Sequence, residues 1–254
     1  MIHFPDLRTK RLTVSLKELS MLDAIGLASL PEHLSEEATT FFLRAAVAKA
    51  VGIEDPAQWT VQERTLAVCH YMASTFDDGP DFALDGELSR YSDYLVGDKD
   101  YSAAEVDLGE IEGDKWTVRH LTGGMASAIE RLHGEIPDIR GRTHWQIGLM
   151  AAQMVPNGDG GDPLSEGEFD AFLLARMRVI AGFPESVFAR LLERFESARE
   201  QLSHLFRVAF DDQGLLVLPR EGSAAELPPA RFPARACITS LARFMGGKPE
   251  ESGA

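Results

Sequence analysis

Hydrophobic and polar positions alternate in LRTKRLTVSL, so residues 1–16 predict an extended arm or an edge strand. The period then changes. KELSMLDAIGLASL, residues 17–30, repeats its apolar positions at three and four and predicts an amphipathic helix ended by Pro31. A second helix is expected from about Ser35 through SEEATTFFLRAAVAKAV, with Gly52 as its natural stop. The clearest start signal is Thr60 followed by Glu63, a capping box leading into the apolar face of Val61, Leu66, Val68 and Cys69. Residues 1–76 therefore read as a helical unit with an extended arm.

Residues 77–254 read as a second, mixed unit. FDDGPDFALDGELSRYSDYLVGDKD predicts an ordered but irregular crossing, and EVDLGEIEGDKWTVRHL a hairpin turning at Glu112-Gly113-Asp114. Helices are expected in MASAIERLHG and THWQIGLMAAQMV, then from about Glu166, after Ser165 and Glu168 as a further capping box. The longest helix is expected from about Pro184 to Phe206, with Val187, Leu191, Leu192, Phe195, Leu202, Leu205 and Phe206 on one face. RVAF and LLVLP predict a hairpin around Asp211-Asp212-Gln213-Gly214, with Gly214 at positive φ. A proline-rich strap, residues 221–235, precedes a short helix in ACITSLARFMG and a polar tail. The fold class expected is α+β, mainly α-helical with short β-hairpins and extended arms.

Composition changes this picture in two places. A net charge of -15 over 254 residues argues against nucleic acid or an anionic membrane as partner, because both repel acid. Cys69 and Cys237 sit far apart in apolar contexts, which fits buried thiols and synthesis in a reducing cytoplasm. The first residues lack the apolar run of a signal peptide, and no stretch of about 18 apolar residues offers a membrane span.

PNGDGGDPLSEGEF places Asn157, Asp159, Ser165 and Glu168 at positions 1, 3, 9 and 12 of a calcium loop. Position 5 is Gly161, which has no side-chain donor, and Asp162 stands where the sharp turn needs glycine. A polar loop with a helix cap fits these residues better than a metal site. Gly123-Gly124 reads as a tight turn into a helix rather than a phosphate cradle. Glu130 and His133 have the spacing one helix gives a di-iron site, but no second copy exists, so Glu130 is expected at the surface. His70, His144 and His204 are expected in helices without companion ligands. The carboxylates Asp77, Asp78, Asp81, Asp85 and Glu87 have no diagnostic value in so acidic a chain. We therefore expect no catalytic residues, no metal and no cofactor.

WTVQERTLAVCHYMAS, DDGPDFALDGELSRYSDYLVG and LPPARFPARACITSLARFMGG together resemble proteins of the tail morphogenesis region of tailed bacteriophages. The resemblance covers about two-thirds of the chain and carries no catalytic motif. It implies a non-enzymatic structural component of the virion tail, at the tail tip or baseplate, made in the host cytoplasm. The alternatives it leaves are a tail assembly chaperone absent from the particle and a tail-associated cell-wall hydrolase. Its implied partners are other phage tail proteins, with a ring of identical copies as one arrangement. The residues expected to meet them are Pro228, Pro229, Arg231, Phe232 and Arg235, since a proline strap suits no central strand and aromatic and arginine residues dominate interfaces. Whether the arms at residues 1–16 and 221–235 reach neighbours or fold back on their own domain stays open at this level.

Overall fold

The computed structural model describes residues 2–84, 88–97, 99–111, 113–156, 162, 165–223 and 227–247. Among these are eight α-helices and eleven short strands, an α+β architecture rich in helix. The N-terminal arm folds back on its own chain. Its strands β1 (Leu7–Arg8) and β2 (Thr13–Leu16) form an antiparallel sheet in the order β1-β2-β3 with β3 (Val47–Val51). Helices α1 (Met21–Ser29) and α2 (Ser35–Ala46) lie between β2 and β3 in sequence.

The second helix is thus shorter than its sequence predicts. It ends at Ala46, and Val47–Val51 pairs with β2 in the register Val14↔Ala50 and Thr13↔Val51. The available strand edge and the β-branched Val47 and Val51 favour pairing over another helical turn. Gly52 does act as punctuation, but of the strand: its φ is +105° and a Cβ there would stand 2.1 Å from the Arg11 carbonyl oxygen.

Helix α3 (Val61–Thr75) starts where the capping box places it, with the Thr60 N–H on the Glu63 carboxylate at 2.9 Å and the Glu63 N–H on the Thr60 hydroxyl at 3.1 Å. It is buried along most of its length, polar Gln62, Glu63, Arg64 and Thr65 included, so it shows no single apolar stripe. After it come the small pairings β4 (Ala83–Leu84) with β5 (Ser89–Arg90), then β6 (Leu95–Val96).

The predicted hairpin forms from β7 (Glu105–Ile111) and β8 (Asp114–Arg119), extended to three strands by β9 (Met154–Pro156). Between β8 and β9 run α4 (Gly123–Arg131) and α5 (Gly141–Gln153). Helix α6 (Glu166–Ala181) begins where expected, but Ser165 gives it no cap: its hydroxyl donates to the Glu168 carboxylate at 2.5 Å. Of the calcium-loop positions, Asn157, Asp159 and Gly161 lie outside the described residues, while Asp162 pairs with Arg119 at 2.7 Å.

Helix α7 (Glu185–Gln201) also stops early, because the chain swings out through Leu205, whose φ is +54°. Leu205 and Phe206 instead open β10 (Leu205–Asp211), which forms the second predicted hairpin with β11 (Gly214–Leu218), Gly214 at φ +102°. The chain closes with α8 (Ser240–Gly246).

Two hydrophobic cores result, and they are not consecutive along the chain. One joins β2, α1, α2 and α3 to Phe82, Tyr94 and the C-terminal Phe206, Val217, Phe232 and Ala242. The other is built from β7, β8 and α4 through α7. Val208 and Leu215 of the second hairpin touch both. The two cysteines are free thiols, Cys69 buried and Cys237 half-buried, and burial raises the pKa of both.

Candidate functional site

The five residues expected at an interface divide sharply. Pro228 and Pro229 are exposed, although the Pro228 carbonyl accepts from the buried Tyr94 hydroxyl at 2.8 Å. Phe232 is only 8% exposed, within an aromatic cluster of Phe82, Tyr91, Tyr94 and Phe206. Arg231 bonds the Asp211 carboxylate and the Leu215 carbonyl, and Arg235 bonds the carbonyls of Leu30 and Pro31. Ala230 bridges to Val217 of β11. The strap is therefore bound to its own chain, and its aromatic anchor fills its own core.

A cleft of about 610 Å³ lies where the two cores meet. Arg11, Arg44, Arg119 and Arg131 enter it, with Tyr101, Phe169 and the start of α4 at Thr122 and Gly124. Each arginine is already matched. Arg44 meets Asp55 at 3.3 Å, Arg119 meets Asp162, and Arg11 stands 3.6 Å from Glu63. Arg131 bonds Glu37 at 2.9 Å, Glu166 at 2.8 Å and Asp170 at 2.8 Å. These pairs tie α2, α4 and α6 together around the cleft. An incoming anion would have to displace carboxylates already in place, so the geometry reads as a clamp.

At the edge of this cleft His120 and His204 meet at 4.8 Å between ring centroids, with Tyr101 stacked on His120. His204, expected in a helix, occupies the turn between α7 and β10. Its Nδ1 faces the Leu202 carbonyl at 3.1 Å and so carries the hydrogen; its Nε2 accepts from the Thr60 hydroxyl at 3.0 Å. Burial, with the His120 and Arg11 charges adding to it, pulls its pKa down to about 4, so it is neutral at pH 7. His120 Nε2 donates to the Ala103 carbonyl at 2.8 Å, and the Ser102 hydroxyl donates to the Leu202 carbonyl at 3.0 Å. His120 Nε2 also stands 3.4 Å from the Ser102 hydroxyl, but it directs its hydrogen at the Ala103 carbonyl, so in this arrangement it does not accept the Ser102 proton.

Glu130 corrects its expected surface position. It is buried, and its carboxylate accepts from the backbone N–H groups of Ser35, Glu36 and Glu37. Leu34, at the N-cap of α2, offers no side-chain acceptor, so a residue distant in sequence supplies it. His133 lies beside His144, not beside a metal-binding carboxylate set. Among the described residues no three His, Cys, Asp or Glu side chains group as metal ligands. Asp85 and Glu87 of the acidic crossing lie outside the described residues, and Asp81 accepts from Ser92.

A surface that sequence reasoning missed lies on α1 and α8, which pack together. Gly246 makes the approach possible, since a Cβ there would stand 2.6 Å from both the Ala28 Cβ and the Ile25 carbonyl oxygen. Ala242 and Gly246 thus occupy the inner side of α8. Leu241, Phe244 and Met245, at spacings of three and one, are left facing solvent, Phe244 at 85% exposure. Leu22 in the first turn of α1 is 79% exposed, beside an exposed Met21. The sequence predicts a helix in ACITSLARFMG, but not which side of it faces inward, because small residues occupy the buried side.

Fold and surface together define an α+β protein in which, among the described residues, five of the nine exposed bulky apolar side chains lie on α1 and α8, the others being Ile2, Val51, Leu88 and Val179. No family model matches the chain, and no curated protein or solved structure matches it either. Among the described residues no helix is long and apolar enough to cross a membrane.

Proposed function

We propose that the protein is a non-enzymatic structural component of a bacteriophage tail, at the tail tip or baseplate, acting through contacts with other proteins. The observation that carries the reading is the apolar α1–α8 face. Exposed clusters of large apolar side chains mark contact surfaces more often than they mark free surface. The resemblance of WTVQER, GPDFAL and LPPARFPAR to tail morphogenesis proteins supplies the setting. In this reading the arginine–carboxylate clamp holds the two cores rigid while the outer face binds.

Mass spectrometry of purified phage particles tests the proposal. The chain is expected in the particle at a fixed ratio to other tail proteins. Its presence in infected cells but absence from particles would make it an assembly chaperone instead. Cleavage of purified peptidoglycan, abolished by changing one carboxylate, would overturn the non-enzymatic reading.

A further inference from the structure

Gln62 lies in the first turn of α3 and Gln153 ends α5, and both are buried, at 7% and 3% exposure. The Gln153 side-chain nitrogen donates to the Arg119 carbonyl at 2.8 Å. A carbonyl only accepts, so this bond fixes which way the amide points and leaves the Gln153 oxygen over. Among the described residues no group donates to that oxygen, and none donates to the Gln62 oxygen. Buried acceptors are ordinarily paired, so two left over together call for a donor.

The two glutamines border one cavity of about 440 Å³, which lies between α3, the end of α5, α7 and the β10–β11 hairpin. Its volume is within the range of small-molecule sites, about 300–1,000 Å³. We propose that this cavity binds an uncharged small molecule bearing an NH2 group, a primary carboxamide or an amino-heterocycle, whose N–H hydrogens meet the Gln62 and Gln153 oxygens.

The acceptors set the donor chemistry. His120 also borders the cavity, and with its hydrogen directed from Nε2 to the Ala103 carbonyl its Nδ1 can only accept. Burial lowers the His120 pKa, which keeps the ring neutral at pH 7.

Charge sets the rest. Glu196, Glu200, Arg199 and Arg207 border the cavity, two of each sign. Arg199 is held by Glu196 at 3.2 Å and lies against the rings of Phe195 and Phe210, and Arg207 stands 3.8 Å from Glu221. A cation would be brought beside two arginines, and an anion beside two bare oxygens, so an uncharged guest fits best. Val61, Leu121, Val208 and Phe210 supply apolar wall for the body of such a molecule.

The test is a two-dimensional ¹⁵N NMR titration of the full chain with benzamide and, separately, with 2-aminopyrimidine, reading the side-chain NH2 signals of Gln62 and Gln153. Saturable shifts of both signals are expected with at least one probe. Saturation by benzamide alone makes the guest a carboxamide, and by 2-aminopyrimidine alone an amino-heterocycle; saturation by both upholds the shared NH2 chemistry. N,N-dimethylbenzamide and 2-(dimethylamino)pyrimidine, which lack N–H, should bind at least about 10-fold more weakly than their parents. Gln62→Met and Gln153→Met should each weaken binding by about 10-fold, read at the glutamine that remains. Where Gln153→Met fails to fold for want of its bond to Arg119, Gln62→Met decides. No saturable shift up to the solubility limit of either probe would mean that water alone satisfies the two oxygens, and overturns the site. Equal binding of the dimethylated analogues overturns it too, as does wild-type affinity in Gln62→Met. The site stands or falls apart from the tail reading, since particle composition tests that one and probe binding this one.

Discussion

The Glu130 carboxylate lies 2.7 Å from the backbone nitrogen of Ser35, ninety-five positions earlier in the chain. It caps α2 from the body of α4 and so locks the N-terminal core to the second one. Glu130→Ala would leave buried N–H groups at the start of α2 without an acceptor. We expect a loss of about 2 kcal/mol, read from urea unfolding.

The same residue gives a pH signature. Burial, and the neighbouring Glu36, push the Glu130 pKa up to about 7, against the opposing pull of its backbone N–H partners. The folded form therefore holds the proton more tightly than the unfolded chain. Its contribution is fully present below about pH 4.5 and is lost as pH rises through about 7. Unfolding wild type and Glu130→Gln side by side should show the variant gaining on wild type between pH 5 and 8, by on the order of 3 kcal/mol in all. A constant difference across that range would count against a buried, proton-holding Glu130.

His204 acts with the opposite sign. Its folded pKa of about 4 lies below the unfolded 6.5, so its contribution is present above pH 6.5 and is lost as pH falls through about 4. His204→Gln should flatten the fall in melting temperature between pH 6.5 and 4. An unchanged acid limb would show that other groups set the transition.

Gly123 packs against the guanidinium of Arg64, which donates to the Glu36 carbonyl at 2.7 Å and to Thr40 at 2.9 Å. A Cβ at position 123 would stand 1.8 Å from Arg64 Nη1, and Arg64, 1% exposed, has nowhere to move. Gly123→Ala should destabilise by about 2–4 kcal/mol through a displaced, unpaired buried charge. Gly124→Ala, whose Cβ would stand no closer than 3.4 Å to a neighbour, should be mild by comparison. Equal effects at the two glycines would remove the argument.

The strap gives the sharpest contrast in mutational cost. Phe232→Ala should lower stability by about 3–5 kcal/mol, since it empties the centre of an aromatic cluster. Pro228→Ala and Pro229→Ala, at exposed positions, should change it by less than about 1 kcal/mol. Chemical denaturation of the three variants would check the order.

The sequence by itself determined what a few adjacent residues can enforce. Thr60 and Glu63 start α3 because each satisfies the other's N–H across three residues. Gly214 turns the β10–β11 hairpin because only its own φ is involved, and the alternation in EVDLGEI and DKWTVR sets β7 against β8. Tertiary structure decided the rest, wherever the deciding partner is remote. VAKAV is a strand and not a helix because β2 lies beside it. Glu130 is buried and Phe232 internal because N–H groups from α2 and aromatic rings from three separate segments await them. On α8 the sequence predicts a helix, but which side of it faces inward was settled by how closely Gly246 lets α1 approach. Local hydrogen bonds and backbone preferences act within a few residues and can be read from sequence; burial depends on segments that chain topology alone brings together.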